Sequence, residues 1–255
     1  MFIDTHCHLS IEDYDDINNV ILENRKAEID KIIISGCTRE SIKESLELSK
    51  KYDDVYVTIG YHPSETDITT HDDIMNLEEQ IKNDKVVGIG EIGLDYHYGK
   101  ENKDAQMHLF RRQLAMADRH NLPVVIHSRD ATLDTINILK EFPRVRGDIH
   151  CFSGSLETAQ IYISMGYYLG IGGVVTFKNS KLISVVKEIG LDHIILETDS
   201  PYLTPEPNRG KKNSSKYIPD IAKYIASELG ITVEEVSKIT LENTYSLFDF
   251  DSKLW

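Results

Sequence analysis

Residues 123–127 read Pro123-Val124-Val125-Ile126-His127, a continuous apolar, β-branched run that ends on a histidine. Such a run lacks the in–out alternation of a half-exposed strand and fits a parallel strand covered on both faces. Proline stands at its first position, where a strand tolerates the missing N–H. The pattern recurs at 2–6 (FIDTH), 31–36 (KIIISG), 55–60 (VYVTIG), 86–91 (VVGIGE), 145–150 (VRGDIH), 167–172 (YYLGIG) and 193–198 (HIILET). Helical spacing fills the intervals: Ile42, Leu46 and Leu48 in 41–51, then Met107, Phe110, Leu114 and Ala117 at steps of three and four in 104–120. The stretches 131–141, 155–165, 180–189, 216–229 and 232–247 fit the same template. Eight strand–helix alternations without a break in composition predict a single α/β domain over 1–255, a (β/α)8 TIM-type barrel with its site at the C-terminal ends of the strands. An open doubly wound sheet is the competing architecture.

Composition narrows the class. The chain has 255 residues, 40% hydrophobic and 27% charged, the profile of an ordinary globular protein. The N-terminus has no basic stretch leading into an apolar run, and no apolar run reaches the ~18 residues of a membrane helix. Three cysteines (Cys7, Cys37, Cys151) with no export signal suggest reduced thiols, so the expected location is cytoplasmic, with no membrane partner. Against 28 basic side chains stand 42 acidic ones, a net charge of −14. That balance disfavours a long duplex-binding groove, which needs many Lys and Arg contacts to phosphate. It leaves room for a small contact at a strand end.

Ligand-type side chains gather where these runs end. His6 closes the first, Glu91 the fourth, His127 the fifth and His150 the sixth, and Asp199 follows the eighth. In a (β/α)8 barrel those ends share one face, so residues far apart in the chain converge there. His6 and His8 are two apart and point to one side of their strand, while Cys7 points to the other. Four imidazoles and two carboxylates exceed the needs of one ion. Two divalent ions bridged by a carboxylate would use all six residues. Glu91 is the expected bridge: one ion takes His6, His8, Glu91 and Asp199, the other Glu91, His127 and His150. The nitrogen–oxygen set suits zinc, manganese or iron better than magnesium. Asp199 is also placed to move a proton between water and leaving group, so Asp199 and Glu91 are the catalytic candidates. No Gly-x-Ser-x-Gly elbow is present, and strand alternation turns Cys7 and Cys151 away from the interior, against thiol catalysis.

Several motifs resemble the TatD family of metal-dependent deoxyribonucleases, among the amidohydrolase-like barrel enzymes. They are Asp4-Thr5-His6-Cys7-His8-Leu9, Gly60-Tyr61-His62-Pro63, Gly90-Glu91-Ile92-Gly93-Leu94-Asp95-Tyr96 and Pro123 through Ala131. His150-Cys151-Phe152-Ser153-Gly154, Glu197 through Leu203 and Arg209-Gly210-Lys211 complete the set, in order along nearly the whole chain. Ser10 departs from the Asp common after His-x-His-Leu, and Ser214-Ser215 from a common Asn-x-Pro. The resemblance implies a TIM-like barrel, the same six metal positions, divalent cations, often magnesium, and phosphodiester hydrolysis, typically 3′→5′ trimming of single-stranded DNA; with the donor set this leaves Mg, Mn or Zn as the expected ions. No obligate protein partner is implied.

Substrate contacts are expected from His62, at the end of the third run, from Arg129 and Lys178 beyond the fifth and seventh, and from Arg209 and Lys211 in the 201–213 loop. Glu197, two before Asp199, shares its strand face and is expected to orient a ligand or a nearby cation; Asp95 is a similar candidate. Two other functions fit the residues: a small-molecule amide, ester or phosphotriester hydrolase on the same barrel, and a non-catalytic metal-binding partner protein.

Overall fold

The computed structural model describes residues 1–97, 99 and 101–250. Its strands are β1 (Phe2–Cys7), β2 (Ile29–Gly36), β3 (Val55–Ile59), β4 (Val86–Asp95), β5 (Val124–Arg129), β6 (Gly147–Ile149), β7 (Tyr168–Ile171) and β8 (Ile194–Leu196). Its helices are α1 (Ile17–Lys26), α2 (Arg39–Lys51), α3 (His71–Gln80), α4 (Lys103–His120), α5 (Thr132–Leu139), α6 (Leu156–Ser164), α7 (Leu182–Ile189), α8 (Ile218–Leu229) and α9 (Val233–Leu247). The parallel strands follow one another in chain order and alternate with helices, the (β/α)8 barrel class that the sequence predicts. Among the described residues no helix is long and apolar enough to cross a membrane.

The described residues divide into two compact units: residues 1–34 with 150–246, and residues 35–149 with 247–250. In the first unit β1 pairs with β2 and β7 with β8. The chain leaving β8 joins β1: the Asp199 N–H donates to the His6 carbonyl at 3.0 Å and the His8 N–H to the Ser200 carbonyl at 2.7 Å. All of β1 is buried, as a strand covered on both faces must be. Helix α8 packs against β1 and β8 through Ile218, Ile221, Ala222 and Ile225, one apolar stripe of 3.6 period. Removing each of the three isoleucine side chains from water contributes about 1.5–3 kcal/mol.

In the second unit β3, β4, β5 and β6 pair in that order. Helix α4 lies on β4 and α2 on β3. Helix α3 starts in a capping box: Thr70 accepts from the Asp73 N–H, and Asp73 accepts from the Thr70 N–H. The Asp73 carboxylate also receives two bonds from the Arg39 guanidinium, at 2.6 and 2.5 Å, which ties α3 to the first turn of α2.

Boundaries differ from expectation at the strand ends. Strand β4 runs four residues past Glu91 and β5 two past His127, so neither ligand candidate closes its strand, whereas β6 stops one residue before His150. Helices α1 and α3 were not predicted.

Candidate functional site

Within the first unit, His6 on β1 and His8 just beyond it bring their ring centroids within 5.0 Å, and Cys7 between them has its Sγ 3.5 Å from the Ile33 carbonyl. Asp199 takes a left-handed conformation (φ 53°) just after β8. Tied through its N–H to the His6 carbonyl, it holds a carboxylate oxygen 3.7 Å from His6 Nε2 and 3.4 Å from His8 Nε2. His150, the first residue beyond β6, stacks its ring on His6, centroids 3.8 Å apart. One donor atom from each of His6, His150 and Asp199 lies within 4.8 Å of the other two. Ligands about 2.0–2.2 Å from a common ion span such distances, and two imidazoles with a carboxylate form a donor set for zinc or manganese. The residues present therefore fit a divalent cation.

Two buried carboxylates hold this cluster from behind. Glu197 Oε1 accepts the Cys151 N–H at 2.7 Å and lies 3.3 Å from His150 Nδ1. Burial pushes its carboxyl up, and the charge of His150 pulls it back. A carboxylate facing Nδ1 favours the proton on that nitrogen and leaves Nε2 for a metal. Asp4 accepts from the Thr198 hydroxyl at 2.6 Å, the Thr198 N–H at 3.0 Å and the His6 N–H at 3.3 Å. Burial lifts it to about 7, against the hydrogen bonds that favour its charge. Sequence reasoning passed over Asp4 and Thr198. Asp4 lies two before His6 on an apolar strand, the same signal of an inward carboxylate that singles out Glu197.

The second unit carries its own cluster. On β4, positions 91, 93 and 95 share a side, and β5 places His127 opposite Gly93. A side chain at residue 93 would bring its Cβ within 2.0 Å of the His127 carbonyl, and the backbone is at φ 145°, so glycine is required there. Over this gap His127 lies between two carboxylates: Nδ1 is 2.6 Å from Glu91 Oε1 and Nε2 is 3.0 Å from Asp95 Oδ2. Burial works against ionised Asp95, but the bonds from His127 and the His97 N–H hold its carboxyl below the usual range, and Arg129 adds to this. Asp95 thus touches a ligand candidate directly. His62 follows β3, and its Nδ1 accepts the Ser64 N–H at 3.1 Å, capping a short 3-10 turn. A neutral ring bonded in that way carries its proton on Nε2, which makes Nε2 a donor; it lies 3.8 Å from Glu91 Oε1. Donor atoms of His62, Asp95 and His127 also lie within 4.8 Å of one another. Beside His62 and Asp95 opens a cleft of about 340 Å³.

The expected substrate contacts divide between the units. His62 and Arg129 accompany Glu91 and His127, whereas Lys178, Arg209 and Lys211 accompany His6, His8, His150 and Asp199. Arg209 is not an open tip: its guanidinium lies 4.0 Å above the Phe177 ring and donates to the Thr204 carbonyl at 3.2 Å. Lys211 Nζ donates to Asn208 Oδ1 at 3.0 Å, and Lys178 is exposed. The 201–213 loop is closed at its base by Asn213, another residue the sequence hid. Fully buried, its amide donates to the Thr198 carbonyl at 2.9 Å and the Tyr202 carbonyl at 2.5 Å, while its own carbonyl accepts the Tyr14 hydroxyl at 2.8 Å.

Comparison with known proteins agrees with this chemistry. The family model for TatD related DNase matches residues 3–249. A relative from Bacillus subtilis (strain 168), named "Uncharacterized metal-dependent hydrolase YabD", is 45% identical, covering 97% of this chain and 99% of its own length. The crystal structure of YJJV, a TatD homolog from Escherichia coli K12, aligns with TM-score 0.90 at 30% identity over 97% of each chain. A TatD-family hydrolase from Entamoeba histolytica aligns with TM-score 0.87 at 25% identity over 98% of each chain. This chain belongs to the TatD-related DNase family and is a metal-dependent hydrolase acting on ester bonds.

Proposed function

We propose that the chain is a phosphodiesterase using two divalent ions, and that its substrate is single-stranded DNA, shortened from the 3′ end. One observation carries the reading: each unit holds an imidazole–carboxylate cluster with basic side chains in the same unit, Lys178, Arg209 and Lys211 in one and Arg129 in the other. The ions, when bound, supply Lewis acidity and a water acidic enough to attack near neutral pH. Six side chains, His6, His8, Glu91, His127, His150 and Asp199, would hold them, with Glu91 shared as the sequence suggests. Asp199, its side chain still 17% exposed, accepts the proton of the attacking water and passes it to the departing oxygen. His62 offers its Nε2–H to a phosphate oxygen. Arg209, braced by Phe177, and Lys178 and Lys211 neutralise the flanking phosphates. The family model runs through both units, which supports one hydrolase domain over the whole chain. Cys7, Cys37 and Cys151 stand as thiols, which favours a reducing, cytoplasmic setting.

The test is 5′-labelled single-stranded DNA incubated with magnesium, manganese or chelator, beside an Asp199→Ala control. The expected result is a metal-dependent ladder that shortens from the 3′ end and is lost in the control. Absence of cleavage of DNA and RNA with every metal would move the assignment to a small amide, ester or phosphotriester.

A further inference from the structure

Among the described residues, two large aromatic rings stand exposed: Tyr202 at 60% and Tyr245 at 46%. Tyr245 is occupied, with Lys31 Nζ 5.6 Å from its ring centroid and its hydroxyl 3.3 Å from Asp30 Oδ2. Tyr202 stands three residues after Asp199, its ring centroid 6.4 Å from that of His8. The exposure is not that of a slack loop. The Tyr202 N–H donates to the Asp199 carbonyl at 2.9 Å, and its carbonyl accepts from Asn213, so the backbone beneath the ring is bound on both sides. A solvent-facing ring on an anchored backbone, beside a candidate metal ligand, is a prepared surface for a flat partner.

The neighbouring surface says what kind of partner. The turn 173–176 packs against the same loop: Thr176 Oγ1 accepts the Glu206 N–H at 2.9 Å. The next residue, Phe177, has the Arg209 guanidinium 4.0 Å over its ring, and Lys178 follows. An exposed tyrosine and basic residues around one loop, in a chain of net charge −14, form a local exception to an acidic surface. Aromatic faces interleaved with cations are how proteins hold single-stranded nucleic acid, the rings stacking on bases and the cations meeting the backbone.

We propose that Tyr202 is the stacking platform for the nucleobase next to the scissile phosphodiester. Resting on the phosphodiesterase reading, this deepens it: the site selects an unpaired base, since a base inside a duplex has no free face for the ring. The aromatic face does the work, and the hydroxyl is dispensable.

The experiment compares two single-stranded oligodeoxynucleotides of one sequence, one with a normal 3′-terminal nucleotide and one with an abasic 3′-terminal residue. The parent enzyme should show a KM about tenfold lower for the base-bearing end, the range expected for one stacked base. Tyr202→Ala should raise that KM to the abasic value, and Tyr202→Phe should restore the preference. A preference that survives in Tyr202→Ala overturns the proposal. If the parent cuts neither oligonucleotide, the phosphodiesterase reading falls first, and a binding measurement decides Tyr202 by itself. In the Asp199→Ala background with manganese, a 3′-terminal 2-aminopurine should be quenched on binding, and the added Tyr202→Ala change should abolish the quenching. Quenching in both proteins, or in neither, overturns the proposal.

Discussion

Glu197→Gln isolates what a buried carboxylate does for a metal ligand. The Glu197 Oε1 atom accepts the Cys151 N–H and faces His150 Nδ1, and the residue is fully buried. A glutamine amide has the same shape and keeps an acceptor oxygen, so the backbone bond survives and the change is one of charge. Without that charge the Nδ1 proton is held less firmly and the opposite nitrogen becomes a weaker ligand. Loss of such a supporting group costs roughly 10- to 100-fold in metal affinity, which is ~1.4–2.7 kcal/mol. Competition against a chelating dye, with zinc or manganese, reads this directly, and a thermal melt in chelator shows whether the apo fold survives. Gly170→Ala presses on the same group from the other side, since a Cβ there would lie 2.3 Å from Glu197 Oε2. It should weaken metal binding in the same direction without altering any charge. Parental affinity in Glu197→Gln would refute the argument and leave Glu197 as a partner of the Cys151 amide alone.

Arg209→Ala should raise KM for single-stranded DNA about tenfold with kcat little changed, the mark of lost uniform binding. Arg209→Lys should recover only part of this, because an ammonium lacks the planar guanidinium that sits 4.0 Å over the Phe177 ring; steady-state kinetics equal to the parent would remove Arg209 from the site. Asp73→Asn should destabilise the fold by about 2 kcal/mol at pH 7, from the weakened cap and the lost charge-assisted pair with Arg39. The Arg39 guanidinium beside it holds the Asp73 carboxyl well below its ordinary 3.8, so the parent's advantage is fully present above pH 3.8 and shrinks as pH falls below it. Urea melts at pH 7 and pH 3 check this, and an equal difference at both would assign the effect to geometry rather than charge.

Most of the strand skeleton was legible, since strands covered on both faces need unbroken apolar runs and this chain writes them plainly. The ends of those runs were less so. Strand β4 continues through Gly93 to Asp95, where a glycine and a carboxylate interrupt the apolar signal although the pairing with β5 persists. Helices α1 and α3 escaped because each buries only two apolar residues, Ile17 with Ile21 and Ile74 with Leu77, too few to set a period. The candidate ligands could be picked out because strand alternation and strand order turn sequence position into direction. The neighbours of the loop could not. Phe177 under Arg209, and Asn213 under Tyr202, are partners chosen by the folded chain, and nothing in a one-dimensional pattern pairs residue 177 with residue 209.

The fastening at Asn213 has an evolutionary consequence. One buried amide grips the carbonyls of Thr198 and Tyr202, so the loop leaves and re-enters the scaffold through a single knot beside Asp199. Beyond that knot, and beyond the bond that ties Glu206 to Thr176, residues 207–212 can change in length and composition without transmitting the change to the ligand before it. Selection is thus free to retune which strand end is admitted while the reaction beneath stays as it was. Loop exchange between relatives, cut on the scaffold side of Asn213, is the natural route to new substrate preference on this frame.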